Sequence, residues 1–301
     1  MSEFLQQLIN GLSLGSIYAL IALGYTMVYG VLRFINFAHS DVFMVGSFVG
    51  FYLSRYLPQV FPRETLLGGL GILIAAMAAC ALLGVIIERL AYKPLRNASR
   101  LNVLITAIGV SLLLENLGQI IFGAELKAFP PIFPARRLNV GEGLVVSTTQ
   151  VAILVITILL LAILQFIVHR TKIGTAMRAL SFNPTAASLV GINNNVVISF
   201  TFALGSALAG AGGILYALNY QSIDPLRGIL PGLKAFVAAV FGGIGNIPGA
   251  ALGGLFLGVV ETFVNGSRFS TYTDAIAFAI LILVLLFKPA GLLGKVQVEK
   301  V

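Results

Sequence analysis

Hydrophobic residues along this chain come in long blocks separated by short polar stretches. The blocks run Leu8–Leu32, Val42–Leu57, Leu66–Ile87, Leu101–Phe122, Val151–Val168, Val196–Ala217, Leu233–Phe241, Ala250–Val264 and Ala275–Phe287. Several approach the roughly 20 apolar residues that carry an α-helix across a bilayer. Others are too short for a straight span, or are broken by glycine and proline. Alternation with a period of two is weak throughout, which argues against a membrane β-barrel. The pattern predicts an all-α polytopic transmembrane helical bundle, one domain over residues 1–301, with about eight spans and one or two broken or re-entrant helices.

Two breaks interrupt this pattern. In RFINFAHSD (Arg33–Asp41), Asn36, His39 and Asp41 follow Arg33 between two apolar blocks with almost no loop. The stretch is either a tight solvated turn or the start of a half-helix whose polar groups line a pathway. In GGIGNIPGAALGG (Gly242–Gly254), Gly245, Asn246 and Pro248 would interrupt a helix at membrane depth. Such an interruption is tolerated only against protein or a wet cavity, and it suits a transport path. Two glutamates also lie inside apolar blocks. Ionisable groups there cost roughly 2.5–3.5 kcal/mol on insertion scales, so each is a functional candidate by default. Glu115, next to Asn116, is retained as a pathway candidate, whereas Glu261 reads as closer to an interface.

Composition agrees with a lipid-facing chain. Of 301 residues, 58% are hydrophobic and 10% charged, and mean hydropathy is +0.99, far from the roughly 25% charged residues of a soluble domain. The net charge of +8 therefore reads as membrane topology rather than as affinity for nucleic acid. Basic residues gather at Arg89, Lys93, Arg96 and Arg100, at Arg170, Lys172 and Arg178, and at Lys288, Lys295 and Lys300. Placing these clusters in the cytoplasm makes Gly123–Gln150 an external loop, despite its Lys127, Arg136 and Arg137, which Glu125 and Glu142 accompany. The side on which the N-terminus and Arg33 lie stays open at this stage. Met1–Asn10 lacks the basic region and cleavage site of a secretory signal.

Enzyme chemistry is scarce. Cys80 is the only cysteine, and His39 and His169 lack metal-ligand spacing. No nucleophile elbow appears, and nothing nominates the facing nucleophile and base of an intramembrane hydrolase. No phosphate-binding loop is present either, so ATP energy would have to come from a partner. An ion-coupled secondary carrier remains an alternative, because one buried carboxylate could suffice for it.

One stretch fits neither lipid nor a simple loop: FNPTAASLVGINNN, Phe182–Asn195. Asn183 is a good N-cap, Pro184 suits the first helical position, and Gly191 is a natural left-handed stop. Between them lie about two turns, on the order of 10 Å. The spacing predicts a small capped helix on the cytoplasmic side, within a loop of residues 170–195. It would either dock into a partner or lie on the lipid surface.

Thr185, Ala186 and Ala187, then three residues, then Gly191, resemble the E-A-A-x-x-x-G core of the coupling loop in importer permeases of the ATP-binding-cassette class, with Thr185 in place of glutamate. Three longer blocks are similar to LivH-type permeases of branched-chain amino acid importers: GLSLGSIYALIALGYTMVYGVLRFINFAHSDVFMVGSF, RTKIGTAMRALSFNPTAASLVGIN and LPGLKAFVAAVFGGIGNIPGAALGG. The resemblance implies a transport subunit of the bacterial inner membrane without catalysis of its own. It implies a second homologous permease, giving a heterodimer, two ATPase subunits that use ATP and magnesium, and an extracytoplasmic solute-binding protein. No cofactor, metal or nucleic acid is expected on this chain. Docking would use Leu189, Val190 and Ala186 in the ATPase groove, with Arg178 and Asn183 bonding at its rim. Related permeases also serve urea and short amides, so the substrate is open between these and aliphatic amino acids.

Overall fold

In the computed structural model the described residues are 2–96, 98–141 and 143–294, without the side chains of Arg100 and Val140. Glu142, Lys295 and Lys300, counted above in the charge pattern, lie outside them. Each of the nine apolar blocks forms the body of a helix: α1 (Ser2–Leu32), α2 (His39–Tyr56), α3 (Leu66–Ile87), α4 (Arg100–Phe122), α5 (Thr148–Arg170), α8 (Asn194–Tyr220), α9 (Ile229–Gly242), α10 (Ile247–Asn265) and α11 (Thr273–Phe287). Two further helices, α6 (Lys172–Phe182) and α7 (Pro184–Leu189), form the polar loop between α5 and α8. Among the described residues, seven helices are long and apolar enough to cross a membrane. The other two, α2 and α9, both begin inside the bundle.

Helix α1 is the central element, buried almost continuously from Gly11 to Val28. It packs on α10 along a seam of small residues. A Cβ added to Gly258 would meet the backbone of Gly15, and one added to Gly15 would lie 2.7 Å from the Cα of Leu255. Apolar side chains gain little by leaving lipid for one another, so such close backbone approach is how membrane helices associate. Helices α2 and α3 pack on α8, whereas α4, α5 and α11 form the periphery and leave broad apolar faces uncovered, including Leu113, Leu159 and Leu286.

Hydrogen bonds decide the side of the N-terminal segment. The external loop folds into a hairpin of strands β2 (Arg137–Gly141) and β3 (Leu144–Ser147). Its Val145 N–H donates to Gln6 Oε1 at 2.9 Å, and Gln150, on α5, donates to Asn10 at 2.8 Å. Helix α1 therefore starts on the external side. At its other end Arg33 donates to the carbonyl of Ser181 in α6, at 3.1 Å, on the side of the first two basic clusters. By the excess of Lys and Arg this side is cytoplasmic.

The two breaks lie at different depths. After Arg33 the chain turns back inward, and α2 starts at His39 beside Gly24 of α1, about 12 Å inside the end of that helix. The first break is thus a half-helix start rather than a solvated turn. The second break, Gly243–Asn246, does not lie at membrane depth as its sequence predicts. Gly245 sits beside Gly30, near the cytoplasmic end of α1. The reason is that α9 itself starts deep: Gly228 and Gly232 face Ser40 at the start of α2. Fourteen residues of helix from that level reach the cytoplasmic side by Gly242. The descent to it, through β4 (Ser222–Ile223) paired with β1 (Lys127–Ala128), makes a second re-entrant segment that hydropathy did not reveal.

Candidate functional site

The cytoplasmic loop is built from local capping. Thr171 caps α6 by accepting from Gly174 N–H at 3.2 Å, and α6 turns Gly174, Met177 and Leu180 inward at a spacing of three residues. Asn183 caps α7, its Oδ1 accepting from Ala186 N–H at 3.0 Å, with Pro184 at the first position. At the other end Gly191 adopts φ +85°, Ile192 N–H donates to Ala187 O at 3.0 Å, and Gly191 N–H donates to Ser188 O at 3.1 Å. These are the two hydrogen bonds of a Schellman stop. The asparagines that follow each have a task. Asn193 caps α8, Asn194 donates to Pro184 O at 3.0 Å, and Asn195 accepts from Arg96 at 2.6 Å. Replacing Asn183 by alanine is expected to cost α7 about 1 kcal/mol, seen as faster proteolytic nicking between 183 and 193.

Of the docking residues named from sequence, Leu189 and Val190 are 83% and 76% exposed, and Thr185 and Ala186 are also exposed. Ala187 is buried and faces the body of the loop. Arg178 lies at the α5–α6 elbow, where its guanidinium donates to Val168 O and, at 3.3 Å, to Thr175 Oγ1.

The pathway candidates fall into separate places. Asn36, His39 and Asp41 are all buried in the interior. Asn36 Oδ1 accepts from Tyr92 at 2.5 Å, Asp41 accepts from Ser111 of α4 at 2.5 Å, and the His39 ring lies 4.7 Å from that of Tyr25. Glu115 is half-buried one turn beyond Ser111, whereas Asn116 is exposed on the outer face and donates to its own helix at Leu112 O, 2.7 Å away. Gly245, Asn246 and Pro248 form a separate cytoplasmic junction. Asn246 caps α10, accepting from Gly249 N–H at 3.1 Å, and donates to Leu293 O at 2.7 Å. Leu292 and Leu293 N–H groups in turn satisfy the carbonyls of Phe241 and Gly242 at the end of α9. Ile35 of the first break and Ile244 of the second line one narrow crevice.

Two buried ionic clusters were not read from sequence. Glu261 is not at an interface: it is 6% exposed and accepts from Lys234 at 2.7 Å and from Tyr18 at 2.8 Å. Lys234 also meets Asp274 at 2.7 Å, so the cluster joins α1, α9, α10 and α11. Nearer the cytoplasm, fully buried Glu88 sits in a π-helical turn after α3, Glu88–Tyr92, and accepts from Arg96 and, at 2.7 Å, from Ser199. A lysine within an apolar block was the available signal for the first cluster. The second had none beyond the basic run around it.

Known proteins are similar to this chain in sequence along nearly its whole length. The family described as branched-chain amino acid transport system, permease component, matches residues 7–285. The high-affinity branched-chain amino acid transport system permease protein BraD of Pseudomonas aeruginosa is 45% identical, over 99% of this chain and 98% of its own. LivH of Escherichia coli K12, of the same description, is 44% identical over the same shares. A probable LivH of Methanocaldococcus jannaschii is 32% identical over 93% of this chain and 89% of its own. From an external start through two deep half-helix origins to a capped cytoplasmic helix, this chain belongs to the permease family of branched-chain amino acid transport systems.

Proposed function

We propose that the protein is the membrane-embedded subunit of an inner-membrane importer that passes branched-chain amino acids, driven by two partner ATPase subunits that bind ATP and magnesium. An extracytoplasmic binding protein delivers substrate, and a second, homologous permease completes the path as a heterodimer. The observation that carries the coupling role is α7, a six-residue helix capped at both ends that presents Leu189 and Val190 to the cytoplasm. A rigid plug with exposed apolar side chains suits a groove in another protein, because little ordering entropy is lost on docking. The names and near-full-length identity of the relatives support the choice of branched-chain substrates over urea or short amides.

The test is co-purification and reconstitution with the ATPase subunits. Leu189→Asp is expected to abolish ATPase association while leaving membrane insertion and melting unchanged, since the side chain it replaces is solvent-exposed. Accumulation of leucine by vesicles holding this chain alone, driven by a proton gradient, would refute the proposal.

A further inference from the structure

We propose that Arg33 is a positioning residue that carries displacement of the α6–α7 loop to the buried start of α2; the inference rests on the coupling role just given to that loop. Arg33 ends α1 with φ +56°, a conformation that glycine or asparagine adopts more readily. What arginine adds is its side chain, which donates to Ser181 O in the last turn of α6, two residues before the cap of α7. The backbone strain is maintained at a point where the side chain bridges two elements, a pattern associated with switch regions.

The segment after Arg33 is held from the other side. Asn36 accepts from Tyr92, and the Phe34 ring lies 5.1 Å from the Tyr92 ring. Tyr92 ends the π-helical turn that contains buried Glu88, and such turns recur at functional sites. Arg33, Phe34, Tyr92 and Ser181 all line one cavity of about 600 Å³. The cavity leaves room beside the end of α6, so that end can shift with little repacking, although Met177 and Leu180 hold the rest of the helix inward. Motion of Ser181 would then reach residues 34–38 through the arginine. Those residues lead directly to His39 and Ser40, where the starts of α2 and α9 meet. A displacement at the cytoplasmic surface is thereby delivered to the interior junction of the two half-helices, the kind of discrete packing contact through which small shifts are amplified.

The test uses the full complex in lipid nanodiscs and vesicles, with ATP hydrolysis and leucine transport measured on the same preparation. Arg33→Gly keeps the left-handed backbone and removes the tether. It is expected to assemble and hydrolyse ATP while leucine transported per ATP falls by about tenfold, within the usual range of coupling between sites. Arg33→Lys retains a donor of similar reach and is expected to restore most of the ratio. Wild-type transport per ATP in Arg33→Gly would overturn the relay. If that variant is not recovered folded, Arg33→Asn decides, since asparagine tolerates the left-handed backbone but is too short for the bond that Arg33 makes to Ser181 O: a lowered ratio supports the relay and an unchanged one overturns it. Failure of the wild-type chain to assemble with ATPases would instead refute the coupling role itself.

Discussion

Replacing Lys234 by methionine is expected to destabilise the isolated protein by about 3–5 kcal/mol, the usual cost of breaking a buried ion pair from one side. Lys234 and Glu261 side chains are only 8% and 6% exposed, and their charged atoms are 2.7 Å apart. Methionine fills a similar volume but leaves the Glu261 carboxylate with a single described donor, Tyr18. The energetic loss is the desolvation of an uncompensated charge rather than the loss of the attraction itself. The double variant Lys234→Met, Glu261→Gln should therefore recover much of the stability, because glutamine is neutral and still accepts from Tyr18. The chain lacks tryptophan, but its one cysteine, Cys80, is completely buried. Labelling of Cys80 by a thiol-reactive dye during heating thus reports unfolding. Equal melting of the single variant and the wild type would refute this reading of the cluster.

The second large effect is steric. Gly258→Leu places side-chain atoms where the backbone of Gly15 already lies, and neither helix backbone can yield as a flexible side chain would. The penalty is expected near the upper end of the roughly 1–3 kcal/mol typical of overpacking. Displacing α10 from α1 also strains the Tyr18–Glu261 hydrogen bond, which crosses the same interface. The control is the same substitution at Gly109 on α4, where an added Cβ meets nothing within 4 Å. In the isolated chain it should melt like wild type in the Cys80 assay, whereas Gly258→Leu should melt well below it. Equal behaviour at the two sites would mean that the glycine seam does not hold α1 against α10.

Much of the fold is written in local pattern. All nine apolar blocks became helices, and the caps of α7 were visible in Asn183, Pro184 and Gly191 because capping depends on neighbours along the chain. Depth was less legible. Hydropathy reports how long an apolar run is, and not where it begins relative to other helices. Gly245, Asn246 and Pro248 thus read as a mid-membrane break although α9 starts deep enough to bring them to the cytoplasmic side. The Lys234 cluster was hidden for a related reason. Its partners Tyr18, Glu261 and Asp274 are distant in sequence, and only the fold brings four helices together around the one ammonium. The residues of α6, by contrast, carry a visible inward face at Gly174, Met177 and Leu180, but its short apolar content sets it apart from the spans.

The buried start of α2 bears on how the protein is made. Helix α2 carries His39, Ser40 and Asp41 in its first turn and is not among the seven helices apolar enough to cross a membrane by length and composition. Helix α3, the next helix, covers part of it, but its largest neighbour is α8, which the ribosome completes only after five intervening helices have emerged. The final packing of α2 therefore has to await a helix synthesised long after it, and a chain truncated before α8 is expected to leave α2 more open to protease than the full chain does.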